Sequence, residues 1–413
     1  MSYLNLEQLS FADSMQMDAF SRLRVSSPKD IFESQMQYET GLTDWSSLVA
    51  GAGSVSHLSN ESSVLMSTGG TALGDKAYRS TKLCWRYQPG KSQFVFQTFL
   101  FGSAISNVRR RVGYFNTNDG IFFEQTDQGL FIVLRTSTSG APVDERVAQV
   151  DWNVDTLGAD PSRNPSGDIL DITTTQHLVI DMQWLGVGRV RVGFSIDGKP
   201  VLAHKFAKSN IITSVYMKTA NLPLRLEIEN TGVAGSAATM KQICSSIISE
   251  GGDPEGQRGS LRTASNGTSR KAVTTRRPIL SIRPAATFFG QPNRAWYIPI
   301  EASVLSDADA FLEVVFGGTL TGAVWTAAGG GFSSVEYDTS ATAITGGTTV
   351  ISGHVSASGS GANSTGAAVA NVSGRFPNSV DDLLGTQLGH TVVATSMSGT
   401  ANMAAAANWR EIF

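Results

Sequence analysis

Cysteine, charge and long apolar runs are all scarce in this chain of 413 residues. Two cysteines, Cys84 and Cys244, cannot build a disulfide framework and nothing demands a stapled secreted fold; two buried thiols are expected, with a disulfide only if the strands that carry them are adjacent. Charged residues make up only 16% of the chain, against ~25% in typical soluble domains, which suits a surface that neighbours will cover. The net charge of −3 supplies no basic field for nucleic acid or an anionic membrane. No apolar window approaches the ~18 residues of a membrane-spanning helix, so no membrane insertion is expected. The first twenty residues lack a basic segment followed by an apolar core, so no signal peptide is expected and the product is expected to be made in a cytoplasm.

Catalytic signatures are scarce as well. The five histidines (57, 177, 204, 354 and 390) show no His-x-x-His or His-Glu-x-x-His spacing, and neither a metal nor a cofactor is expected. Gly186-Val187-Gly188 lacks the third glycine and the helix of a dinucleotide fingerprint. Ser358-Gly359-Ser360-Gly361 has no strand-to-helix context for a nucleophile elbow. No repeat of 20–50 residues argues for a solenoid or propeller.

What the chain does carry is alternation. From His177 to Phe206 it reads HLVIDMQWLGVGRVRVGFSIDGKPVLAHKF. Leu178–Trp184, Arg189–Ile196 and Pro200–Phe206 alternate as half-buried strands, and Asp197-Gly198 is a strong hairpin signal. Similar runs occur at Ile31–Tyr38, Val55–Met66, Lys82–Tyr87, Ser92–Phe101, Arg109–Phe115, Gly120–Thr126, Leu130–Thr136, Pro223–Glu229 and Met240–Ser249. Phe94 and Phe96 against Phe99 and Phe101 suggest a bulge near Thr98. About a dozen short strands and no long helical period predict an all-β protein, with an antiparallel jelly-roll sandwich over 31–250. Residues 1–30 read as an arm, with Leu4, Leu6, Leu9 and Phe11 and an alternating stretch Ala19–Ser26. Such an arm packs on its own domain or reaches a neighbour. Residues 251–277, rich in turn formers, read as a linker. Residues 278–413 form a second, smaller β-sandwich-like domain, with strands at Ile279–Arg283, Ala295–Val304, Phe311–Phe316, Val350–Val355, Thr391–Met397 and Ala401–Phe413.

Few residues point to chemistry. Glu227 and Glu229 are two apart on one strand, so their carboxylates share a face, as a glycosidase pair would. Yet RLEIEN lacks the third acid of the Glu-x-Asp-x-x-Glu pattern of laminarin-degrading sandwich enzymes. The expectation is that both glutamates face solvent while Leu226 and Ile228 face the core. His177 and Asp181 share a strand face and, with Glu124 or Asp119, form a loose metal-ligand set; no metal is assigned to it. Arg109-Arg110-Arg111 and Arg270–Arg277 are basic runs, expected in solvated turns or in salt bridges to a neighbouring subunit. Among seven tryptophans, Trp152, in the loop that follows Val150, is the candidate for stacking on a sugar.

The runs WLGVGRVRVGFSIDGK, NLPLRLEIEN and QICSSIISEGG resemble a family of structural proteins of tailed bacteriophages. AFSRLRVSSP is similar to a signature near the start of many of them. EVVFGGTLTGAVW, SSVEYDTSATAITGG and TSMSGTANMAAAANWREI resemble its C-terminal pieces, so the likeness spans both domains. It implies a concanavalin-like (lectin-type) first domain and a non-enzymatic virion component, with no catalytic residue to carry over. The expected role is tail-associated (fibre, baseplate or collar), in assembly or host attachment. A head fibre or capsid decoration protein is the alternative, and a carbohydrate-binding adhesin or polysaccharide depolymerase a further one. Expected partners are copies of itself as a homotrimer, other virion proteins and a host surface glycan.

Overall fold

The computed structural model describes residues 17–20, 22–25, 27–251, 259–356, 367–371 (backbone only) and 377–413. Leu4, Leu6, Leu9, Phe11 and Ser358–Gly361 lie outside the described residues. The chain divides into two compact units, Met1–Asp253 with Asp382–Leu384, and Pro254–Asp381 with Gly385–Phe413.

Among the described residues the first unit has fifteen strands: β1 (Lys29–Gln35), β2 (Trp45–Ala50), β3 (Ser54–Leu58), β4 (Ser63–Ser67), β5 (Lys76–Thr81), β6 (Gln93–Leu100), β7 (Val108–Phe115), β8 (Gly120–Thr126), β9 (Gly129–Thr136), β10 (Val143–Ala148), β11 (Gln176–Met182), β12 (Arg189–Ile196), β13 (Lys199–Ala207), β14 (Leu224–Asn230) and β15 (Thr239–Ser249). They form two antiparallel sheets. One runs β13-β12-β11-β6-β15-β4-β3, with β1 on the far half of β15; the other runs β10-β9-β8-β7-β14-β5-β2. Strand alternation turns one face of each sheet inward. Phe99, Phe101, Phe123, Phe194 and Trp152 meet there, with Phe101 and Phe123 stacked at 5.6 Å. This layout is an antiparallel jelly roll.

The hairpin β12–β13 turns on Asp197 and Gly198, both at positive φ (50° and 72°). That is the primed geometry whose twist matches the strands, and Gly198 adopts it without Cβ strain. Phe94 and Phe96 lie on the outer face of β6 and Phe99 and Phe101 on the inner, by simple parity. The irregularity at Thr98 belongs to the partner strand β15, between Gln242 and Ser245. Among the described residues of Ala19–Ser26 no strand forms; Leu23 makes an isolated bridge to Met17.

Those arm residues pack on their own unit. Asp18 Oδ1 accepts from the Phe20 and Arg22 amides at 2.9 Å, closing a tight loop. Arg189 Nε donates to Ala19 O at 2.7 Å, and Arg191 donates to Met17 O. Arg24 pairs with both Asp181 and Glu250, and its guanidinium lies 4.4 Å from the Phe94 ring centroid. Asp181, fully buried, also takes Arg191 and the Ser92 hydroxyl. One carboxylate therefore joins the arm, β12 and the residue before β6.

The second unit contains β16 (Ser260–Ser265), β17 (Lys271–Val273), β18 (Arg277–Pro284), β19 (Thr287–Phe288), β20 (Gln291–Pro292), β21 (Trp296–Ser306), β22 (Ala310–Phe316), β23 (Thr319–Thr321), β24 (Thr326–Ala327), β25 (Val335–Asp338), β26 (Ala343–Thr345), β27 (Thr348–Val355), β28 (Ala367–Asn371), β29 (His390–Ser396) and β30 (Ala401–Ile412). Its main sheets are β16-β30-β21-β28, with β17 also on β30, and β24-β25-β18-β29-β22-β27. A core of small and aliphatic residues around Tyr297, Met403 and Trp409 lies between them. The expectation of a linker over 251–277 is corrected for 260–273, where β16 and β17 pair with β30 and bury Ala264 and Val273. The ladder to a distant strand holds these polar segments, and local composition carries no sign of it.

His390 sits inside this unit. Asn378 Nδ2 donates to Tyr297 Oη at 2.9 Å, and Tyr297 Oη and His390 Nδ1 share a hydrogen bond, also at 2.9 Å. Burial holds His390 at about 4, below the usual 6.5, and His204 of the first unit likewise at about 4. Each imidazole is neutral when folded, while the unfolded chain takes up a proton below 6.5. Stability is therefore lost as the pH falls through 6.5 towards 4, by roughly 3 kcal/mol per histidine. Thermal melts between these pH values should show that fall, and His390→Gln should flatten it for the second unit. A melt independent of pH across this window would rule the effect out.

Candidate functional site: a guanidinium layer on the seven-stranded sheet

The antiparallel register decides which charges meet. Residues directly opposite share a face. Glu227 stands opposite Arg111 and Tyr78, and Glu229 opposite Arg109 and Lys76. Arg111 stands opposite Glu124, Glu124 opposite Phe131, and Arg135 opposite Asp144. These residues all lie on the outer face of the sheet β10-β9-β8-β7-β14-β5-β2, because Leu226, Ile228, Val112 and Phe123 occupy the inner one.

The contacts follow. Arg111 Nε donates to Glu124 Oε2 at 2.7 Å, and its Nη1 reaches Glu227 Oε2 at 3.4 Å. Arg225 Nε lies 2.7 Å from Glu227 Oε1 as an ion pair. Arg146 Nε donates to Glu124 Oε1 at 2.6 Å. Glu229 accepts from Arg109 and from the Tyr78 hydroxyl. Arg135 holds Asp144 in a bidentate pair at 2.7 and 2.8 Å. Beneath the guanidinium groups lie aromatic rings. Arg146 is 3.2 Å from the Phe131 centroid, and Arg111 and Arg135 are 4.9 and 5.2 Å from that of Phe122. Cation–π attraction and carboxylate pairing thus act on the same arginines.

The electrostatics are coupled. Burial would lower Arg111, but Glu227 and Glu124 more than offset it and raise it above the usual arginine value. Burial, then Glu227 and Glu229, push the Tyr78 phenol far up, so it stays a hydrogen-bond donor. Burial works against ionised Asp144, yet Arg135 brings it below the ordinary carboxylate range.

Leu226 and Ile228 face the core as expected. Glu227 does not face solvent: its side chain is 7% exposed, and Arg111 and Arg225 hold it. The basic run Arg109–Arg111 is neither a turn nor reserved for another subunit. Arg109 and Arg111 pair on the outer face, while Arg110 turns inward to Gln125 Oε1 at 2.6 Å and to the Ser103 and Thr239 carbonyls. His177, Asp181, Glu124 and Asp119 do not converge. His177 and Asp181 are on the outer face of the other sheet, and Asp119 accepts from Ser137 and Lys218 in the β7–β8 turn. Among the described residues no group of three His, Cys, Asp or Glu is placed to hold a metal.

The carbohydrate-stacking role of Trp152 is corrected. The residue is 1% exposed, stacked on Phe194 at 6.2 Å, and its indole Nε1 donates to Val147 O at 3.3 Å. The short helical turn Gln149–Asp151 points the ring into the core, leaving no face free for a sugar. Sequence reasoning missed Tyr78, Arg146 and Arg225, and gave Arg111 no role in a site. For Arg111 and Arg225 the signal was the i, i+2 charge pattern in VRRRVGYF and LRLEIEN, readable once the two strands are known to be neighbours; Tyr78 and Arg146 join through the register of β5 and β10.

No protein-family model matches the sequence, and no curated protein does. Solved structures do resemble it. A Bacillus licheniformis β-glucanase is 12% identical over 52% of this chain and 96% of its own, with a TM-score of 0.34. A glycosyl hydrolase family 16 protein from Mycobacterium smegmatis is 10% identical over 53% and 100%, at 0.36. A legume lectin-like domain from Entamoeba histolytica is 10% identical over 54% and 98%, at 0.32. The protein is all-β, and its first unit is an antiparallel jelly roll. The expectation that the chain is not an enzyme is corrected by these likenesses: glycosyl hydrolases stand among them, and the exclusion of glycoside chemistry is withdrawn.

Proposed function

We propose that this chain is a carbohydrate-binding, tail-associated component of a tailed-bacteriophage particle. The observation that carries the carbohydrate reading is the outer face of the seven-stranded sheet, where arginines and carboxylates lie side by side over buried aromatic rings. Such a face supplies planar donors and acceptors for hydroxyl groups, and the rings beneath hold the guanidinium groups in place. Arg109 and Arg146, each 30% exposed in the side chain, are the residues that a ligand meets first. The resemblance of WLGVGRVRVGFSIDGK and the C-terminal runs to phage structural proteins supports the particle assignment. A bacterial glycan array probed with the purified full chain should give binding, weakened about tenfold by Arg109→Gln. No binding to any glycan would sink the carbohydrate reading, and absence of the chain from purified particles would sink the assignment to the virion.

A further inference from the structure

The outer face is unequal in charge. Six cationic side chains, Lys76, Arg109, Arg111, Arg135, Arg146 and Arg225, share it with four carboxylates, Glu124, Asp144, Glu227 and Glu229. The excess is two positive charges, on a chain whose net charge is −3. The two signs are also unevenly exposed. Glu124, Glu227 and Glu229 have side chains only 3%, 7% and 15% exposed, whereas Arg109 and Arg146 reach 30%; Asp144, at 29%, is the one exposed acid among these four, and Arg135 holds it. Glu124 and Glu227 hold the arginines from below, and apart from Asp144, already paired with Arg135, the exposed groups of these ion pairs are the Arg109 and Arg146 guanidinium edges. The Phe131 and Phe122 rings under Arg146 and Arg135 keep these side chains extended over the sheet, which reduces the ordering cost on binding.

We propose that this face selects acidic polysaccharides, polymers whose sugars carry carboxylate groups, over neutral ones. The proposal rests on the carbohydrate reading above and narrows its ligand class. A planar guanidinium matches a carboxylate in a bidentate pair, a match that a neutral hydroxyl does not offer. Two uncompensated charges on a partly desolvated face also attract a polyanion from a distance, and added salt should weaken that attraction.

The test uses the full chain against polygalacturonate and alginate, with dextran and laminarin as neutral probes. Binding to the uronate polymers alone is expected, falling steeply as ionic strength rises from about 0.01 to about 0.15 M. The double variant Arg109→Gln with Arg146→Gln should bind them at least about tenfold more weakly. Arg109→Lys with Arg146→Lys keeps the charge and loses the planar fork, so its binding should fall between those of the parent and the Gln double. Thermal melts of both doubles separate lost contact from lost fold. If neutral and acidic polymers bind alike, or a folded Gln double binds as the parent does, the selectivity is overturned while the carbohydrate reading stands. If none of the four polymers nor any array glycan binds, both fail.

Discussion

Asp181→Ala is expected to destabilise the first unit by about 3–5 kcal/mol, because it strands a buried charge. Asp181 and Arg191 are both fully buried, and Arg24 meets the same carboxylate from the arm. Removing the carboxylate leaves the Arg191 guanidinium in the interior with its principal counter-charge gone. It also frees Arg24 from one of its two acids. Urea unfolding, with hydrogen exchange reporting on β6, β11 and β12, measures the loss. Arg24→Ala should cost less, since Arg24 is 18% exposed and Arg191 would still neutralise Asp181. A double-mutant cycle should return a coupling between the two positions. A loss below about 1 kcal/mol for Asp181→Ala would mean that the arm and the buried pair add little to the fold.

Trp152→Ala should cost about 3–5 kcal/mol as well, by a different route. The indole fills space between Phe123 and Phe194, and no flexible side chain stands ready to replace it. The effect distinguishes two roles for this residue. A sugar-stacking tryptophan would lose binding and keep stability. Trp152 should lose stability and, well below the melting temperature of the variant, keep whatever glycan binding the parent has. Unchanged stability together with abolished binding would restore the stacking role.

The first unit was largely legible where alternation and turns agree. Leu178 to Phe206 gave three strands because Val, Ile and Phe alternate with smaller or polar residues and Asp197-Gly198 closes the hairpin. Lys82–Tyr87 also alternates, yet it holds only an isolated bridge from Trp85 to Leu222. The neighbouring strand is Lys76–Thr81, whose buried Arg79, Ser80 and Thr81 give it the composition of a loop. Arg79 is buried over Trp45 and donates to Thr40 O, contacts that depend on segments distant in sequence. Trp152 failed for a related reason: a loop position does not say whether a ring points in or out. The guanidinium layer was visible only as fragments, since its partners come from β5, β7, β8, β9, β10 and β14 and meet through register.

The second unit depends on a strand that the ribosome delivers late. β30 pairs with β16, β17 and β21, and roughly 140 residues separate β16 from it along the chain. At about 5–20 residues per second, β16 waits roughly 7–30 s before its partner exists. During that interval the edges of β16, β17 and β21 are open to foreign strands. The polar, Lys- and Arg-bearing character of Ser260–Ser265 and Lys271–Val273, which disguised them as a linker, is also the composition that disfavours pairing of an open edge with another chain.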